Sequence, residues 1–353
     1  METGIQKMPK TLKKPEPAGN RSQAGLETGV FLLSLDVELA WGTFDHGGLH
    51  THADDLKQVR PLVHRLLELL DEYAIPATFA VVGHLFLDSC ERTDGTTHPE
   101  VGRPKYDWFD DDWHCLDPGT DVRRDPLWYA PDIIDAIQAA GQDHEIGTHT
   151  FSHIIVDDPA CTPEIFASQI TACAALHKQR GLPLKSIVYP RDRPAHLDVL
   201  RDCGLTNWRG REEAWYGAFT GRMHRFCHLL HRTLAFPPPT YGLTNRVQDG
   251  LVNLPSSILL MPCMGIRRFI PMASRLRQAR LGIRKAVRLR EIFHLWSHPF
   301  NLASDERLFG VLERVLAEVR RLADSGQLMP MTMSGLAEQL LERQPQATAR
   351  WTQ

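Results

Sequence analysis

Residues Val30–Val37 read VFLLSLDV, a short apolar run that carries Asp36 near its end and is followed by Glu38. An apolar run of this length is typical of a buried strand. Helical periodicity follows in Asp54–Tyr73, and the apolar segment ATFAVV at Ala77–Val82 predicts a second strand. This strand–helix–strand order is typical of a parallel βα fold.

The same alternation continues along the rest of the chain. Further strands are predicted at His144–Thr148, Ser186–Tyr189, Thr206–Arg209, Phe293–Trp296 and Leu328–Thr332, and helices at Pro131–Ala140, Pro163–Arg180, Ala195–Cys203 and Asp305–Ser325, with a final helix after the last strand. Repeated βα units predict an α/β fold, either a parallel sheet or a barrel with helices outside. Such folds place their chemistry at the carboxyl ends of the strands.

Two long segments interrupt this alternation, at residues 88–128 and 211–254. Both are rich in turn-forming and aromatic residues. Long inserts in a barrel usually form loops over the active-site mouth, so these aromatic side chains could stack on sugar rings. Packing within the loops accounts for each aromatic residue equally well.

Composition is that of an ordinary globular protein, with 42% hydrophobic and 24% charged residues among 353. A formal net charge of −3 argues against a general nucleic-acid binder. Seven cysteines without a local pairing pattern suit a reducing compartment, and the lack of a C-x-x-C motif predicts no thiolate zinc knuckle.

The two ends of the chain are expected to be tails. Residues 1–28 contain basic residues but no apolar run, so neither a secretory signal nor folded structure is expected there. We predict a disordered tail at 1–28, one barrel domain at 29–345 and a C-terminal tail at 346–353. No transmembrane segment is expected either. Because no secretory signal is found, the expected location is the cytoplasm.

Asp36 and Glu38 close the first predicted strand. Residues two apart in a strand face the same side, so both carboxylates share a face while Val37 points away. Acidic residues are common where a strand meets solvent. A carboxyl strand end in a βα fold, however, is where catalytic groups lie.

The third predicted strand runs into the segment HEIGTHTFSH, residues 144–153. His149 and His153 are four residues apart, so one turn would bring both imidazoles to the same ion. Two unrelated histidines are the alternative. With a carboxylate from Asp36 or Glu38, the set suits a catalytic zinc and also resembles a non-haem iron site. Zinc is the expected metal, with cobalt, nickel, manganese and iron as alternatives.

Two later strand ends add charged groups. In YPRDR, residues 189–193, Arg191 could orient a carboxylate by bidentate pairing, or could form a loop salt bridge. In FHLWSHP, residues 293–299, His294 and His298 share a face. His294 suits the core, and His298 at the strand end is the better candidate for a general acid.

In order and spacing, these four elements resemble the polysaccharide deacetylase family, also called NodB homology or carbohydrate esterase family four. The resemblance extends from about Val30 to Thr332 and is most specific at HTFSH, residues 149–153. It implies a single distorted (β/α) barrel of about seven strands, with the inserts over the mouth. It also implies a metal-dependent hydrolase that removes N-acetyl groups from amino sugars in a glycan or a carrier-linked precursor.

The resemblance also implies roles for individual residues. The expected catalytic residues are Asp36 as base, Arg191 as its orienting partner and His298 as acid; the expected metal ligands are Glu38, His149 and His153; and the expected substrate contacts are Trp41, Trp208 and Trp296. Several segments, among them NWRG at 207–210, resemble a branch linked to bacterial surface-glycan and O-antigen gene clusters.

Two departures from the family pattern affect these roles. Val37 stands where the family has a metal-binding aspartate, so Glu38 is the natural replacement ligand by strand geometry. The arginine motif has Pro before Arg, so Arg193 could substitute for Arg191.

Two other functions fit the same sequence. One is a C–N hydrolase of this fold acting on a cyclic amide, ureide or formamide, because fold does not fix substrate. The other is a non-catalytic glycan-binding protein.

The segment Arg267–Arg290 is rich in arginine and lacks acidic residues. Its periodicity predicts an outer barrel helix with a basic face. That face is either ordinary solvated surface or a binding surface for an anionic partner. The anionic partner would be a diphosphate-linked sugar carrier or an anionic membrane.

Overall fold

A computed structural model describes residues 26–343. The strands are β1 (Gly29–Val37), β2 (Thr78–Val81), β3 (Arg92–Thr93), β4 (Thr96–Thr97), β5 (Glu145–Thr148), β6 (Ser186–Val188), β7 (Asn207–Arg209), β8 (Val247–Gln248), β9 (Leu251–Asn253), β10 (Ile258–Leu259), β11 (Ile292–Ser297) and β12 (Leu328–Met331). The helices are α1 (Gly48–Thr51), α2 (Ala53–Lys57), α3 (Val59–Glu72), α4 (Pro131–Ala139), α5 (Pro163–Gln179), α6 (Leu197–Asp202), α7 (Gly221–Thr233), α8 (Met272–Leu289), α9 (Pro299–Ala303), α10 (Glu306–Asp324) and α11 (Met333–Glu342).

The main sheet is parallel and curls into a distorted barrel. Its order is β10-β11-β1-β2-β5-β6-β7-β9-β8, in which only the short β8 is antiparallel to its neighbour. The strands β9 and β10, near opposite ends of this order, belong to one segment, residues 251–260. The first part of this segment bonds to β7 and the second part to β11, as Leu254 N to Trp208 O and Leu260 N to Trp296 O. This segment closes the barrel, which therefore has seven positions.

Side chains of β1 alternate between two apolar layers. Phe31, Leu33, Leu35 and Val37 pack outward in the main core, whereas Leu32 faces the barrel interior. The interior is filled at its amino end by α11, which contributes Met333, Leu336, Ala337 and Leu340. The odd-numbered residues of β1 therefore pack against the outer helices. The even-numbered Ser34 and Asp36 face the barrel interior, near the carboxyl ends of the strands.

The predicted α/β barrel is confirmed, and every strand and helix named above corresponds to an observed element. Residues 1–25 and 344–353 lie outside the described residues, so the tail predictions are untested there. Leu26 is buried in the interior cluster, and the predicted boundary at residue 28 stays a prediction. No helix within residues 26–343 is long and apolar enough to cross a membrane.

The two inserts contain more regular structure than the sequence suggested. Residues 88–128 include the β3–β4 hairpin, and residues 211–254 include α7, β8 and β9. The first insert packs against the loop after β5, where Trp113 Nε1 donates to the carbonyl of Ser152 at 2.7 Å.

Candidate functional site

Three predicted metal ligands meet where β1 and β5 end. Glu38 follows β1 directly, His149 follows β5, and His153 lies one turn further on. Glu38 Oε1 lies 3.0 Å from His149 Nε2 and 3.3 Å from His153 Nε2. All three side chains are buried, so their ligand atoms face one another away from bulk water.

The turn between the two histidines has an unusual backbone. Thr150 and His153 adopt left-handed conformations with φ of 62° and 56°. Residues other than glycine rarely adopt this conformation, and such strain concentrates at functional sites. Here it directs both imidazoles toward Glu38.

The donor set fits a divalent ion. A tetrahedral zinc with bonds of about 2.0–2.2 Å separates its nitrogen and oxygen ligands by about 3.3–3.5 Å, close to the observed spacing. His149 Nδ1 donates to the carbonyl of Val188 at 2.7 Å, which fixes the ring with Nε2 turned toward Glu38. His153 Nδ1 has no hydrogen-bond partner among the described residues.

Glu38 is held in its ionised form. Burial opposes ionisation, but the imidazoles of His298, His153 and His149 outweigh it and keep the pKa of Glu38 well below its usual value. The carboxylate is therefore charged at neutral pH, as metal binding requires.

Gly42 leaves the space that Glu38 occupies. A Cβ at position 42 would lie 1.9 Å from Glu38 Oε2 and 2.7 Å from Glu38 Cβ. Any larger residue at this position would therefore displace the carboxylate from the two histidines.

Asp36 is paired with an arginine on the opposite side of the barrel. Arg209, at the end of β7, donates from both terminal nitrogens to the two carboxylate oxygens at 2.7 Å each. Both side chains are buried. Burial opposes ionisation of Asp36, but the charge and hydrogen bonds of Arg209 outweigh it and lower the pKa of Asp36. Asp36 therefore remains a carboxylate at neutral pH.

His298 completes the group from the end of β11. Its Nε2 lies 3.4 Å from Glu38 Oε1 and 3.8 Å from Asp36 Oδ2. Burial disfavours the imidazolium, but the carboxylates of Glu38 and Asp36 outweigh it and raise the pKa of His298. Asn301 Nδ2 lies 3.1 Å from His298 Nδ1, which fixes the ring orientation.

These groups line a cavity of about 240 Å³ at the carboxyl end of the barrel. The lining includes Asp36, Glu38, His153, Arg209, Trp296 and His298. A space of this size admits an acetamide group with part of a sugar ring. Carboxylates, imidazoles and a buried guanidinium converge on it from four strand ends, which is the arrangement of a hydrolytic site.

The sequence comparisons agree with this geometry. Residues 35–208 match a family model described as Polysaccharide deacetylase. The chain belongs to the polysaccharide deacetylase family. The matched segment carries Asp36, Glu38, His149 and His153, and it ends one residue before Arg209. A search of the curated proteins finds no match.

Solved structures share the fold of this deacetylase-family chain. A protein from Mycobacterium smegmatis assigned as a polysaccharide deacetylase is 18% identical, with a TM-score of 0.59 over 93% of this chain and 95% of that chain. A Pseudomonas aeruginosa PAO1 protein assigned to the same class is 12% identical, with a TM-score of 0.53 over 88% and 89%. The allantoinase PuuE is 13% identical, with the same TM-score and coverage. At these identities the likeness shows the fold.

Arg191 does not have the position that the family resemblance implies. Its side chain pairs with Asp45, and Arg193 pairs with Asp157 at 3.3 Å, so neither reaches Asp36. The loop that holds them turns through a left-handed Arg191, with φ of 57°, which directs the guanidinium to the rim of the cavity. The predicted orienting role of Arg191 is therefore wrong, and Arg209 occupies that place.

The three tryptophans predicted as substrate contacts differ in exposure. Trp41 is fully buried against the rings of His84 and Trp128, and Trp208 is buried in the main core. The structure contradicts a substrate contact for both, because neither lines the cavity. Trp296 does line it and lies against Arg209, whose guanidinium carbon is 3.9 Å from the ring centroid.

Arg209 and Asp192 are the site residues that sequence reasoning missed. Asp192 Oδ1 accepts from Arg209 Nη2 at 3.0 Å, so the guanidinium is shared by two carboxylates. The available signal was a charged residue at the end of the predicted strand Thr206–Arg209. His294 has the core position expected of it, with Nε2 2.9 Å from Ser34 Oγ inside the barrel. No residue of either insert lines this cavity, so a substrate contact for the aromatic side chains of the inserts stays a prediction.

Proposed function

We propose that this chain is a metal-dependent N-deacetylase that hydrolyses the acetamide of an amino sugar. Family membership implies amide hydrolysis of the deacetylation type. The observation that carries the finer proposal is the convergence of Asp36, Glu38, His149, His153 and His298 on one cavity. These side chains provide a possible metal site, a base and an acid within a few ångströms of one another.

Glu38, His149 and His153 would hold the metal, which we propose is zinc because the donor set is two imidazoles and one carboxylate. A bound divalent ion would supply Lewis-acid activation of water and of the amide carbonyl. Asp36, ionised and fixed by Arg209, accepts the proton of the attacking water. His298, with its raised pKa, donates a proton to the leaving amine. Acetate and the free amine of the sugar are the products.

The proposal is tested by measuring zinc content and acetate release in matched variants. His149→Ala and His153→Ala should lose both the metal and the activity. Asp36→Asn should keep the metal, together with wild-type circular dichroism, and lose most of the activity. Full zinc occupancy in both histidine variants would overturn the ligand assignment. Loss of metal in Asp36→Asn with retention in Glu38→Gln would reverse the roles of the two acids.

The alternative functions give different results in a substrate screen. N-acetylglucosamine oligomers, small cyclic amides and ureides should be compared under the same metal load. Turnover of cyclic amides or ureides alone would favour a C–N hydrolase that acts on those substrates. The fold that the chain shares with an allantoinase does not by itself support that function. Glycan binding without hydrolysis by the metal-loaded protein would favour the second.

An arginine-lined groove supports the proposal that the sugar is carried on a diphosphate. The groove, of about 780 Å³, lies between α8 and α10, and its arginines are Arg277, Arg280, Arg284, Arg307 and Arg314. Guanidinium groups bind phosphate oxygens in bidentate fashion. Arg275, expected on the same basic face, is instead buried and donates to the carbonyls of Met261 and Arg267, so that part of the expectation is wrong.

The carrier proposal is tested by comparing a free N-acetyl sugar with the same sugar on a diphosphate. Arg280→Gln combined with Arg314→Gln should raise the KM for the carrier-linked sugar and leave the KM for the free sugar unchanged. Equal efficiency on both substrates, without salt dependence, would leave the groove as ordinary surface.

A second surface supports contact with an anionic membrane. The exposed apolar side chains of α7 and the turn Gly265–Phe269 include Phe226, Ile266 and Phe269, each more than 60% exposed. Exposed Arg222, Arg225, Arg267 and Arg268 lie on the same two segments. Helix α8 contacts both segments, because Arg275 donates to the carbonyl of Arg267 at 2.7 Å and Gln278 donates to the carbonyl of His231 at 3.3 Å.

The surroundings of this surface complement anionic lipid headgroups. Residues 214–290 contain thirteen arginine and lysine residues and a single acidic residue, Asp249. Apolar side chains inserted among basic ones are typical of helices that lie in a membrane interface. In the chain, α7 comes after β7 and the turn Gly265–Phe269 comes after β10. We propose that this surface faces the membrane on which a lipid-linked glycan is presented.

Vesicle sedimentation tests the membrane proposal. The protein should bind phosphatidylglycerol vesicles and not phosphatidylcholine vesicles, and Phe226→Ser with Phe269→Ser should abolish binding. Leu116→Ser, an equally simple change at another exposed apolar residue, is the control. Absence of binding to anionic vesicles at low salt would contradict the proposal.

Two narrower expectations stay predictions. The branch linked to surface-glycan clusters rests on the segment resemblance alone. All seven cysteines are free thiols, which supports the proposal of a reducing compartment such as the cytoplasm.

A further inference from the structure

A second group of metal-ligating side chains lies outside the candidate active site. His84 follows β2, while Cys90, His98 and Asp117 come from the insert that packs on it. Each offers one ligand atom, and the four atoms lie within 4.8 Å of one another. His84 and Asp117 are fully buried, and the side chain of His98 is only 12% exposed.

Four of the six separations among these atoms are close to those of a tetrahedral site. Cys90 Sγ lies 3.7 Å from His84 Nε2 and 3.5 Å from Asp117 Oδ2. Asp117 Oδ2 lies 3.1 Å from His84 Nε2 and 3.7 Å from His98 Nε2. Zinc bonds of about 2.0 Å to nitrogen or oxygen and about 2.3 Å to sulfur place neighbouring ligands about 3.3–3.6 Å apart.

The remaining polar atoms of the ligands already have partners. His84 Nδ1 donates to the carbonyl of Trp128 at 3.0 Å, and His98 Nδ1 lies 3.5 Å from a carboxylate oxygen of Glu100. Asp117 Oδ1 accepts from Gly119 N at 3.1 Å and from the hydroxyl of Tyr129 at 3.3 Å. Such outer contacts to carbonyls and carboxylates are the ones that orient metal-binding histidines. They leave Nε2 of both histidines and Oδ2 of Asp117 facing the common centre.

The charges at this centre call for a cation. His84 Nε2 lies 3.1 Å from Asp117 Oδ2 while His84 Nδ1 bonds to the carbonyl of Trp128, so a cation between Nε2 and Oδ2 would bind both atoms. Cys90 Sγ lies 3.5 Å from each carboxylate oxygen of Asp117, and a metal ion at this centre would also bind the thiolate.

We propose that His84 Nε2, Cys90 Sγ, His98 Nε2 and Asp117 Oδ2 bind a structural zinc ion. Four protein ligands close the coordination sphere, which is the pattern of structural sites, whereas catalytic sites keep one position open. Only one ligand is a cysteine and the four are spread over residues 84–117, so the lack of a C-x-x-C motif gave no sign of this site.

The ion would fix the insert to the part of the barrel that carries the candidate metal ligands. The backbone N–H groups of Gly83 and His84 donate to the carbonyls of Thr150 and Phe151, at 2.8 and 2.9 Å. Phe151 lies between His149 and His153 in sequence, and its ring packs against His84 and His98. Order at the second site therefore supports the strained turn that presents the two active-site histidines.

Cobalt substitution tests the site without any enzymatic readout. The full-length apoprotein is titrated with Co²⁺, and absorption from thiolate-to-cobalt charge transfer is recorded. The proposed active-site ligands include no cysteine, so this absorption reports the second site alone. It should appear in the wild type and in His149→Ala, and should be lost in Cys90→Ser. Cys115→Ser, in the same insert but outside the cluster, should retain it.

Zinc content and thermal stability give the second measurement. Cys90→Ser and Asp117→Asn should each carry one zinc equivalent fewer than the wild type, and a chelator should lower the Tm of Cys115→Ser by more than that of a folded Cys90→Ser, which has only the active-site ion to lose. If Cys90→Ser does not fold, the proposal is tested by the cobalt spectrum of the wild type and by the zinc content of the milder variant His98→Gln. No charge-transfer absorption in the wild type, with equal zinc content in His98→Gln, would mean that His84 and Asp117 share a proton, and would overturn the proposal.

Discussion

Arg209 is the residue on which the charge and orientation of Asp36 depend. Replacing it with lysine keeps a positive charge but removes the bidentate contact at 2.7 Å to each oxygen. We expect kcat/KM to fall on the order of 100-fold, as for a misplaced catalytic group. The acid limb of the pH profile of kcat/KM should move to higher pH, because a lysine would lower the pKa of Asp36 less than Arg209 does.

Arg191→Lys provides the matched control for this change. Arg191 lines the same cavity but pairs with Asp45, so its replacement should leave the acid limb in place. A shift of equal size in both variants, or in neither, would contradict the positioning role of Arg209. Circular dichroism must show that Arg209→Lys is folded, since the replaced side chain is buried.

Gly42→Ala should weaken metal binding without touching a ligand. The added methyl would lie 1.9 Å from Glu38 Oε2, so the carboxylate must leave its place beside His149 and His153. We expect a loss of metal affinity of at least about 10-fold, as for changes to groups that orient metal ligands, measured by competition with a chromophoric chelator. Gly310→Ala, where a Cβ meets nothing within 4 Å, is the control. Unchanged affinity in Gly42→Ala would show that Glu38 is not a ligand.

Single residues show what sequence could and could not reveal about the site. Glu38, His149 and His298 were identifiable because each directly follows a strand, and strand ends meet in a βα fold. His153 was identifiable by its four-residue spacing from His149. Arg209 also ends a strand, but its partner lies across the barrel, 173 positions away in sequence. Such a pairing depends on barrel closure, which local periodicity does not encode.

Among the elements, α11 has a role that periodicity alone could not assign. Its first turn lies against the buried carboxylate of Glu145, which accepts from Ser334 N and Thr78 Oγ1 at 2.9 and 2.8 Å and from Ser186 Oγ. Burial outweighs these hydrogen bonds and raises the pKa of Glu145. The helix that fills the amino end of the barrel is therefore attached to a carboxyl group that resists ionisation.

Glu145→Gln should change how stability depends on pH. A raised native pKa means that the contribution of Glu145 is fully present below its unfolded value of 4.5 and is lost as pH rises through the native value. The glutamine variant cannot ionise, and its amide can donate to Ser186 while its oxygen accepts from Ser334. Urea unfolding should show a smaller loss of stability above pH 4.5 in the variant. Equal slopes in both proteins would mean that Glu145 ionises freely.

The strands β9 and β10 show why the segment that closes the barrel was not among the predicted strands. Each has only two or three residues, and Pro255 lies between them. Neither shows a periodic pattern long enough to recognise, and their partners β7 and β11 are remote in sequence. Long, strongly patterned elements such as α3 and α10 were predictable because burial of one helix face leaves a local repeat.

On the scale of the whole molecule, buried histidines should control stability in acid. Burial lowers the pKa of His114, His144, His228 and His231 to about 4 and that of His294 to about 3. These histidines are neutral in the folded protein, whereas the unfolded chain takes up protons near pH 6.5. Their contribution is therefore present above pH 6.5 and is lost as pH falls toward 4, so the free energy of unfolding should decrease over that range.

His144 offers a clean test, because its Nδ1 accepts the backbone N–H of Ala77 at 3.1 Å and must stay deprotonated to do so. Asp71 and Asp143 face it and oppose the shift, but burial outweighs them. His144→Asn keeps an acceptor at that position and removes the titration. Urea unfolding between pH 6.5 and 4 should have a shallower slope in this variant, by at most about 1.4 kcal/mol per pH unit. The exposed His50→Asn is the control, and a slope for His144→Asn equal to that of the wild type would contradict the prediction.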